Sequence, residues 1–379
     1  MQLVWSDADE DFRADLRAFL DANAPPEAVG GAQRDPDGPV IPGWARQWQA
    51  RLFDHGWMVP GFPPELGGRN ATPVQTLIYL EELARRRIPR SLHMPGYAIV
   101  APSLLEFGSE ALKQLAPAAI RGDTIWCLGM SEPNAGSDLA ALSTKAVRDG
   151  DRFVVNGQKV WTSYAMVADR CFCYARTDPD APKHRGISVL IIDMDTPGVD
   201  VRPLRHLTGA AHFAEVFLTD VEVPEANLVG GLNDGWRITM GSLAHERGGL
   251  WIQTVTQVQQ ELDELCVLAR KQGLDRDGAV RRQLARAYER VASLRALGYK
   301  GFASFAQGSS APEHSLLKLA ASELDKELHE LGMALEGPFG ATTGRWTNGL
   351  LVSFASTIAA GTSEIQRNII ATRVLGLPR

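Results

Sequence analysis

The sequence predicts an α+β chain in three successive parts: helical, then β, then helical. Three observations predict it. Apolar residues fall at helical spacing through residues 1–125, turn dipeptides and short alternating runs fill 126–229, and long amphipathic segments with few breakers occupy 230–379. In the first part Ser6 and Asp9 cap a helix carrying Phe12, Leu16, Phe19 and Leu20 on one face. A Pro/Gly-rich connection from Asn23 to Gly43 follows. Trp44 to His55 and Val74 to Arg87 read as further helices, separated by the loop Pro60 to Gly68, and a helix pair runs from Ile99 to about Ile120 around Gly108.

The middle part carries Asp149-Gly150 and Asn156-Gly157, dipeptides suited to type I′ turns, which bracket a short strand from Asp151 to Val155. Arg170 to Arg176, Gly186 to Met194 and Glu215 to Val223 read as strands, punctuated by Pro197-Gly198 and Pro224. In the last part Trp251 to Lys271, Ala279 to Ala306 and Ser315 to Leu335 are long amphipathic helices that pack as a bundle.

The balance of 45% hydrophobic and 22% charged residues is that of a globular chain, and 379 residues suffice for a large core. A net charge of −6 gives no reason to expect nucleic acid or an anionic membrane as partner, and the clusters Arg85-Arg86-Arg87 and Arg281-Arg282 read as solvated helix faces. No apolar run reaches the ~18 residues of a membrane span. Asp7, Asp9, Glu10 and Asp11 make the N-terminus acidic where a signal peptide would be basic and then apolar. The expected location is therefore the cytoplasm. Four cysteines, Cys127, Cys171, Cys173 and Cys266, are too scattered for a disulfide framework, and buried free thiols are expected. Cys171 and Cys173 share a strand face, but no second pair with ligand spacing accompanies them. His93, His206, His212 and His329 also lack such spacing, so no metal is expected.

Four stretches carry candidate chemistry. Leu128 to Asp138 joins hydroxyls, a turn and small residues into a backbone-lined loop able to hold phosphate or a polar ring edge; an ordinary Pro/Gly turn would read the same way. Lys159-Val160-Trp161-Thr162-Ser163 sets an indole beside two hydroxyls, suited to covering an aromatic cofactor or to ending a core strand. Asn233 or Asp234 caps a helix running to Ala244-His245-Glu246-Arg247-Gly248-Gly249-Leu250. Leu243 and Leu250 lie three before and four after Glu246, which puts this carboxylate on the apolar stripe. Desolvation there would raise its pKa toward that of a useful proton acceptor, although a structural ion pair with Arg247 is the alternative. The fourth stretch is Ala359 to Ile370. Gly361 allows close backbone approach to a ligand, and Ser363 with Gln366 reads as a capping box.

Taken together, Ser131-Glu132-Pro133-Asn134-Ala135-Gly136-Ser137-Asp138, Asn156-Gly157-Gln158-Lys159-Val160-Trp161-Thr162-Ser163 and Gly361-Thr362-Ser363-Glu364-Ile365-Gln366-Arg367 resemble the acyl-CoA dehydrogenases, over nearly the whole chain and in the same order. The resemblance implies an N-terminal helical domain, a middle antiparallel β-barrel-like domain and a C-terminal four-helix bundle with bound FAD. The activity it implies is α,β-dehydrogenation of an acyl-CoA thioester, with electrons passing to an electron-transfer flavoprotein. It further implies that Leu128, Met130, Ser131, Gly136 and Ser137 hold the flavin and pyrophosphate. Trp161, Thr162 and Ser163 would flank the isoalloxazine, and Thr362, Ser363 and Glu364 would touch FAD beyond the glycine. Ser137, Arg247, Ala360 and Gly361 would meet the substrate.

Two departures from the family pattern matter. Many members carry the catalytic glutamate immediately before the glycine of the Gly-Thr-Ser motif, where this chain has Ala360. Members resembling isovaleryl-CoA dehydrogenase instead place the base one residue before an arginine of the bundle, which here is Glu246. The helical count and the resemblance name the same residue. The family's Arg-x-x-Phe-Gly pyrophosphate segment is not recognisable, and Ala269-Arg270-Lys271-Gln272-Gly273-Leu274 stands in its place. The chain is similar to actinobacterial members, among them steroid-side-chain types that form two-gene heterotetramers, so a homo- or hetero-oligomer, dimer or tetramer, is expected. Two other readings keep the fold: oxidation of a carrier-protein-bound acyl or aminoacyl thioester, and a non-catalytic subunit of a heteromeric enzyme.

Overall fold

The computed structural model describes residues 5–28, 41–247, 250–306 and 313–378, with side chains left out at 242–247, 250, 305, 306 and 313. The chain forms two compact units, Met1–Glu246 and Arg247–Arg379.

The first unit opens with α1 (Asp7–Asn23), where Ser6 and Asp9 form a reciprocal capping box and Phe12, Leu16 and Leu20 are buried. α2 (Gly43–Asp54) and α3 (Pro73–Arg86) follow, the latter started by a second capping box between Thr72 and Gln75. Arg17 reaches from α1 to the buried Glu82 of α3 with two hydrogen bonds, 3.0 and 2.7 Å long. The helix pair expected between Ile99 and Ile120 is instead a wide turn at Gly96–Val100 running into α4 (Ala101–Phe107), then α5 (Glu110–Lys113) and α6 (Ala116–Arg121). Gly108 leaves α4 in extended backbone and Ser109 immediately caps α5, so each helix is restarted rather than continued.

The strands are β1 (Trp126–Gly129), β2 (Lys145–Asp149), β3 (Arg152–Ser163), β4 (Arg170–Arg176), β5 (Ile187–Asp193), β6 (Val199–Leu204), β7 (Phe213–Pro224) and β8 (Leu228–Val229). They form one eight-stranded sheet in the order β6-β7-β3-β2-β4-β5-β8, with β1 paired to β4. Most pairings are antiparallel, but β1 and β2 both meet β4 in parallel. Phe153, Val155, Leu190, Ile192, Val216 and Val221 build the core of this domain with Cys127, Cys171 and Cys173. These three thiols are free and buried, and Cys127 lies opposite Cys171 in the ladder.

Asp149-Gly150 closes the β2–β3 hairpin as expected, but Asn156-Gly157 is not a turn. It lies inside β3, where the register against β7 slips between Val155 and Gly157. The reason is a side-chain tie across the ladder: Asn156 donates to Asp220 Oδ1 at 3.0 Å and accepts from the Asp220 amide at 2.9 Å. Thr144 crowds the other side, and a Cβ added at Gly157 would come within 2.4 Å of its hydroxyl. A bulge accommodates both constraints where a turn would break them.

α7 (Gly235–Arg247) closes this unit, preceded by Asp234, whose carboxylate accepts from the Gly231 amide and pairs with Arg237. The second unit is helical: α8 (Leu250–Lys271), α9 (Gly278–Ala306), α10 (Glu313–Leu335), α11 (Arg345–Ser356) and α12 (Ser363–Ile369). α10 packs on α8, α9 and α11, giving a four-helix bundle. Val258, Leu262, Leu265, Val291, Leu294, Leu324 and Leu328 are among its buried residues. The segment standing where the Arg-x-x-Phe-Gly motif was sought is the end of α8: Gly273 has φ +70°, and the amides of Gly273 and Leu274 return to the carbonyls of Arg270 and Ala269. No described helix is long and apolar enough to cross a membrane.

Candidate active site

In the first unit the loop after β1 is held by one buried carboxylate. Glu132 and Ala135 exchange backbone hydrogen bonds of 3.0 Å, closing a tight turn with Pro133 and Asn134 at its tip, and the Gly136-Ser137 segment that follows is exposed. The Glu132 side chain accepts from the Ser143 amide (2.6 Å), the Ser143 hydroxyl (2.9 Å) and the Thr144 amide (2.9 Å), so it fastens the far end of the loop. Its last partner is Lys159, whose ammonium lies 2.8 Å from Oε1 and also donates to the Tyr174 carbonyl at 2.6 Å. Lys159 is fully buried and Glu132 5% exposed. Burial alone would push the Glu132 carboxyl up, but the adjacent Lys159 charge and the donated hydrogen bonds prevail and hold it down at about 2.

Lys159 sits on β3, and the Val160 amide donates to the Ser131 carbonyl at 2.9 Å, so the loop and the strand end are one construction. Immediately after Lys159 the β3–β7 register slips again, with Lys159 opposite Val216 and Thr162 opposite Ala214. This second bulge puts Trp161 in a left-handed conformation, φ +59°, and leaves the residue 55% exposed, its indole edge-on to Phe213 with centroids 5.8 Å apart. Thr162 is buried, and its hydroxyl has no hydrogen-bond partner among the described residues. Leu128, Met130, Ser131 and Ser163 are half-buried. The Ser131–Val160 hydrogen bond and the Lys159 ammonium, which reaches Glu132 and the Met130 carbonyl, therefore tie the first motif (Leu128, Met130, Ser131, Gly136, Ser137) to the strand carrying Trp161, Thr162 and Ser163. An exposed indole, an unmatched hydroxyl and the exposed Gly136-Ser137 segment fit an aromatic cofactor with polar edges.

In the second unit Ala360 and Gly361 both adopt positive φ, +55° and +94°. Gln366 Nε2 donates to the Ala360 carbonyl at 3.1 Å, and a Cβ at Gly361 would lie 2.7 Å from that nitrogen, so glycine is favoured here first by its backbone conformation, with the Gln366 side chain forced aside otherwise. The cap of α12 is one residue earlier than the sequence reading placed it. Thr362, not Ser363, accepts from the Ile365 amide at 3.2 Å, because Ser363 turns inward to donate to Glu323 at 2.7 Å. Ser363 is accordingly buried, Glu364 exposed, and Gly361 and Thr362 half-buried.

Glu246 and Arg247 are the last residues of α7, but their side chains lie outside the described residues, as do Gly248 and Gly249 entirely. α8 starts afresh at Leu250, so the count from Glu246 to Leu250 passes through that gap.

Sequence reasoning missed two arrangements. The bracing roles of Glu132 and Lys159 were not assigned, although both residues stand inside the motifs. His329, given no role, lies in the bundle beside Glu261 and Asp325, with ligating atoms of the three within 4.8 Å of one another. Its i,i+4 spacing from Asp325 was the available signal. Glu261 is pushed up to about 7, by burial first and then by the nearby Asp325 charge.

Comparison with known proteins follows the same order along the chain. Profiles of the acyl-CoA dehydrogenase N-terminal, middle and C-terminal domains match residues 6–123, 127–221 and 233–375. Acyl-CoA dehydrogenase IpdE1 of Mycobacterium tuberculosis is 36% identical over 98% of both chains. The solved Tcur3481-Tcur3483 steroid ACAD superposes with a TM-score of 0.85 at 29% identity, covering 100% of both chains. The ChsE4-ChsE5 complex from Mycobacterium tuberculosis does so with 0.82 at 31% identity, again over 100% of each. This chain belongs to the acyl-CoA dehydrogenase family and is an FAD-dependent oxidoreductase.

Proposed function

We propose that the protein dehydrogenates a branched or bulky acyl-CoA thioester to its trans-2-enoyl product, with Glu246 as the base for the α-proton. The observation that carries this reading is the pairing of Ala360 with Glu246. The position before Gly361 holds a residue that cannot accept a proton, while a carboxylate stands at the end of α7, one residue before Arg247. FAD, when bound, supplies the acceptor for the hydride leaving the β-carbon. The chain's own part is to hold the thioester, lower the α-proton's pKa and remove that proton. The Ala360 amide is the proposed donor to the thioester oxygen, where negative charge develops, and Arg247, Ser137 and Gly361 line the substrate. On the cofactor side, Leu128, Met130, Ser131, Gly136 and Ser137 form the cradle, Trp161, Thr162 and Ser163 its wall, and Thr362, Ser363 and Glu364 a further contact. The corresponding division of the chain is 1–125, 126–229 and 230–379.

Alanine in place of a glutamate leaves room at residue 360, which supports a branched or bulky acyl group; the resemblance to a steroid ACAD supports the same class. Anaerobic titration of the yellow protein with a panel of acyl-CoAs tests this. Bleaching of the flavin band is expected to be strongest with branched or ring-bearing esters, and a profile peaking on short linear chains would remove the proposal. Likeness to the ChsE4-ChsE5 complex supports a heteromeric assembly, and an electron-transfer flavoprotein is the proposed acceptor. The mass of the complex recovered when the chain is co-expressed with its genomic neighbour checks the former.

The unmatched Thr162 hydroxyl gives a further expectation. Thr162→Val removes a buried polar atom that has no partner among the described residues, so the flavin-free protein should be no less stable. Loss of one hydrogen bond to the cofactor should weaken FAD binding about tenfold, a cost of about 1.4 kcal/mol. Flavin fluorescence titration and the melting temperature of the apoprotein read the two effects separately. A destabilised apoprotein with unchanged flavin affinity would assign Thr162 a purely structural role.

A further inference from the structure

The core of the bundle holds a group of side chains that the dehydrogenation chemistry does not use. Glu261 on α8 and Asp325 and His329 on α10 are 5%, 7% and 6% exposed. Asp325 and His329 are one helical turn apart and so present their side chains to the same point on α8. Two carboxylates thus share a dry space with one imidazole. Among the described residues, no lysine or arginine pairs with either of them; the ion contacts they make are to His329, 3.3 Å from Asp325 Oδ1 and 3.9 Å from Glu261 Oε1. Gln257 donates to Glu261 Oε1 at 3.0 Å, but Glu261 Oε2 and Asp325 Oδ1 have no hydrogen-bond partner. Buried carboxylate oxygens left unmatched are costly, and such a pair is relieved either by a proton, as the raised Glu261 carboxyl reflects, or by a positive charge.

The imidazole turns one nitrogen to a carbonyl and the other to Glu261. His329 Nδ1 lies 2.8 Å from the Asp325 carbonyl, which can only accept, so Nδ1 carries a proton; burial would lower the imidazole's pKa, but hydrogen bonding to Asp325 and the Glu261 charge prevail and raise it, so a cation at Nε2 would replace a proton there. A backbone carbonyl on the far nitrogen is the usual way a metal-binding histidine is held in its tautomer. Nε2 is the atom that faces Glu261, and 3.9 Å is too long for a hydrogen bond. The ring has little freedom to turn elsewhere. Trp346 of α11 lies against it with centroids 5.6 Å apart, and a Cβ at Gly349 would fall 2.2 Å from Nε2 and 2.0 Å from Cδ2.

We propose that Glu261, Asp325 and His329 form a structural binding site for a divalent cation of the zinc class, joining α8 to α10 inside the bundle. One imidazole nitrogen and two carboxylate oxygens are ligands suited to that ion, and its two positive charges neutralise both carboxylates. The ligating atoms lie within 4.8 Å of one another. Bonds of about 2.0 Å in tetrahedral geometry would draw them to roughly 3.3 Å, a contraction within reach of side-chain adjustment. Three protein atoms leave one position, for water or a second carboxylate oxygen.

The test uses the full-length, flavin-loaded protein, stripped of metal by a chelator and dialysed against zinc chloride, with bound metal measured by mass spectrometry. One zinc per chain is expected. X-ray absorption at the zinc edge should show a nitrogen and oxygen shell with the imidazole signature. Glu261→Gln and His329→Gln, checked for folding by flavin content, should bind zinc on the order of 100-fold more weakly, at least the loss that outer-shell partners of a metal cause. Wild-type protein that takes up no zinc, a spectrum with sulfur ligands, or a Glu261→Gln variant that keeps full zinc affinity would each overturn the proposal. The absorption spectrum is read on the wild type, so the test holds even where a variant fails to fold.

Discussion

Glu246→Gln is expected to be a yellow, folded protein whose flavin is no longer reduced by the acyl-CoA that reduces the wild type. Glutamine keeps the shape of the side chain and removes its ability to accept a proton. Loss of a positioned base costs on the order of a thousandfold in rate, and no second carboxylate stands before Gly361 to replace it. The measurement is the rate of flavin bleaching after anaerobic mixing, with flavin content and substrate affinity recorded beside it. Unaltered flavin content and near-normal acyl-CoA binding with a collapsed bleaching rate would assign Glu246 to proton removal. A variant that bleaches at the wild-type rate would end the assignment. Ala360→Glu in the Glu246→Gln background is the natural companion, because it offers a carboxylate from the position where many family members carry theirs.

Lys159→Met should give the largest loss of stability. The substitution leaves Glu132 buried with its hydrogen bonds to Ser143 and Thr144 but without its counter-charge, 2.8 Å away in the wild type. Breaking a buried pair in this way costs about 3 kcal/mol or more. The sign of its pH dependence follows from the Glu132 carboxyl, which the fold holds down at about 2. A group whose folded pKa is depressed contributes stability above its ordinary value and loses it as pH falls through the folded one. The wild type therefore sheds this contribution progressively below about pH 4.5. In the variant, Glu132 has lost its counter-charge and takes up a proton at higher pH than in the wild type, so the deficit should narrow as pH falls. Urea unfolding of both proteins at neutral and mildly acidic pH reads this directly, and a deficit independent of pH would show that the lysine acts through packing alone. Because the same pair braces Met130 to Ser143, the variant should also bind FAD more weakly.

What the sequence determined by itself was the succession of helical, β and helical parts and the motif positions, and it is also the source of the proposal that Glu246 rather than residue 360 is the base. These rest on local facts: the spacing of apolar residues along one helix, the turn dipeptide Asp149-Gly150, a residue type at a motif position. Tertiary structure decided whatever depended on residues distant in the chain. Asn156-Gly157 has the local signature of a turn, yet Asp220 across the ladder makes it a bulge, because pairing along twelve residues of β3 outweighs a two-residue preference. Ser363 and Thr362 are equally good caps on paper, and Glu323 on α10 chooses between them by claiming the Ser363 hydroxyl. The same holds for Glu132 with Lys159 and for Glu261 with Asp325 and His329. Each residue reads alone as an ordinary surface charge. Only the folding of strands and helices against one another removes the water, and it is that desolvation which turns a scattered set of polar side chains into a brace and a candidate cation site.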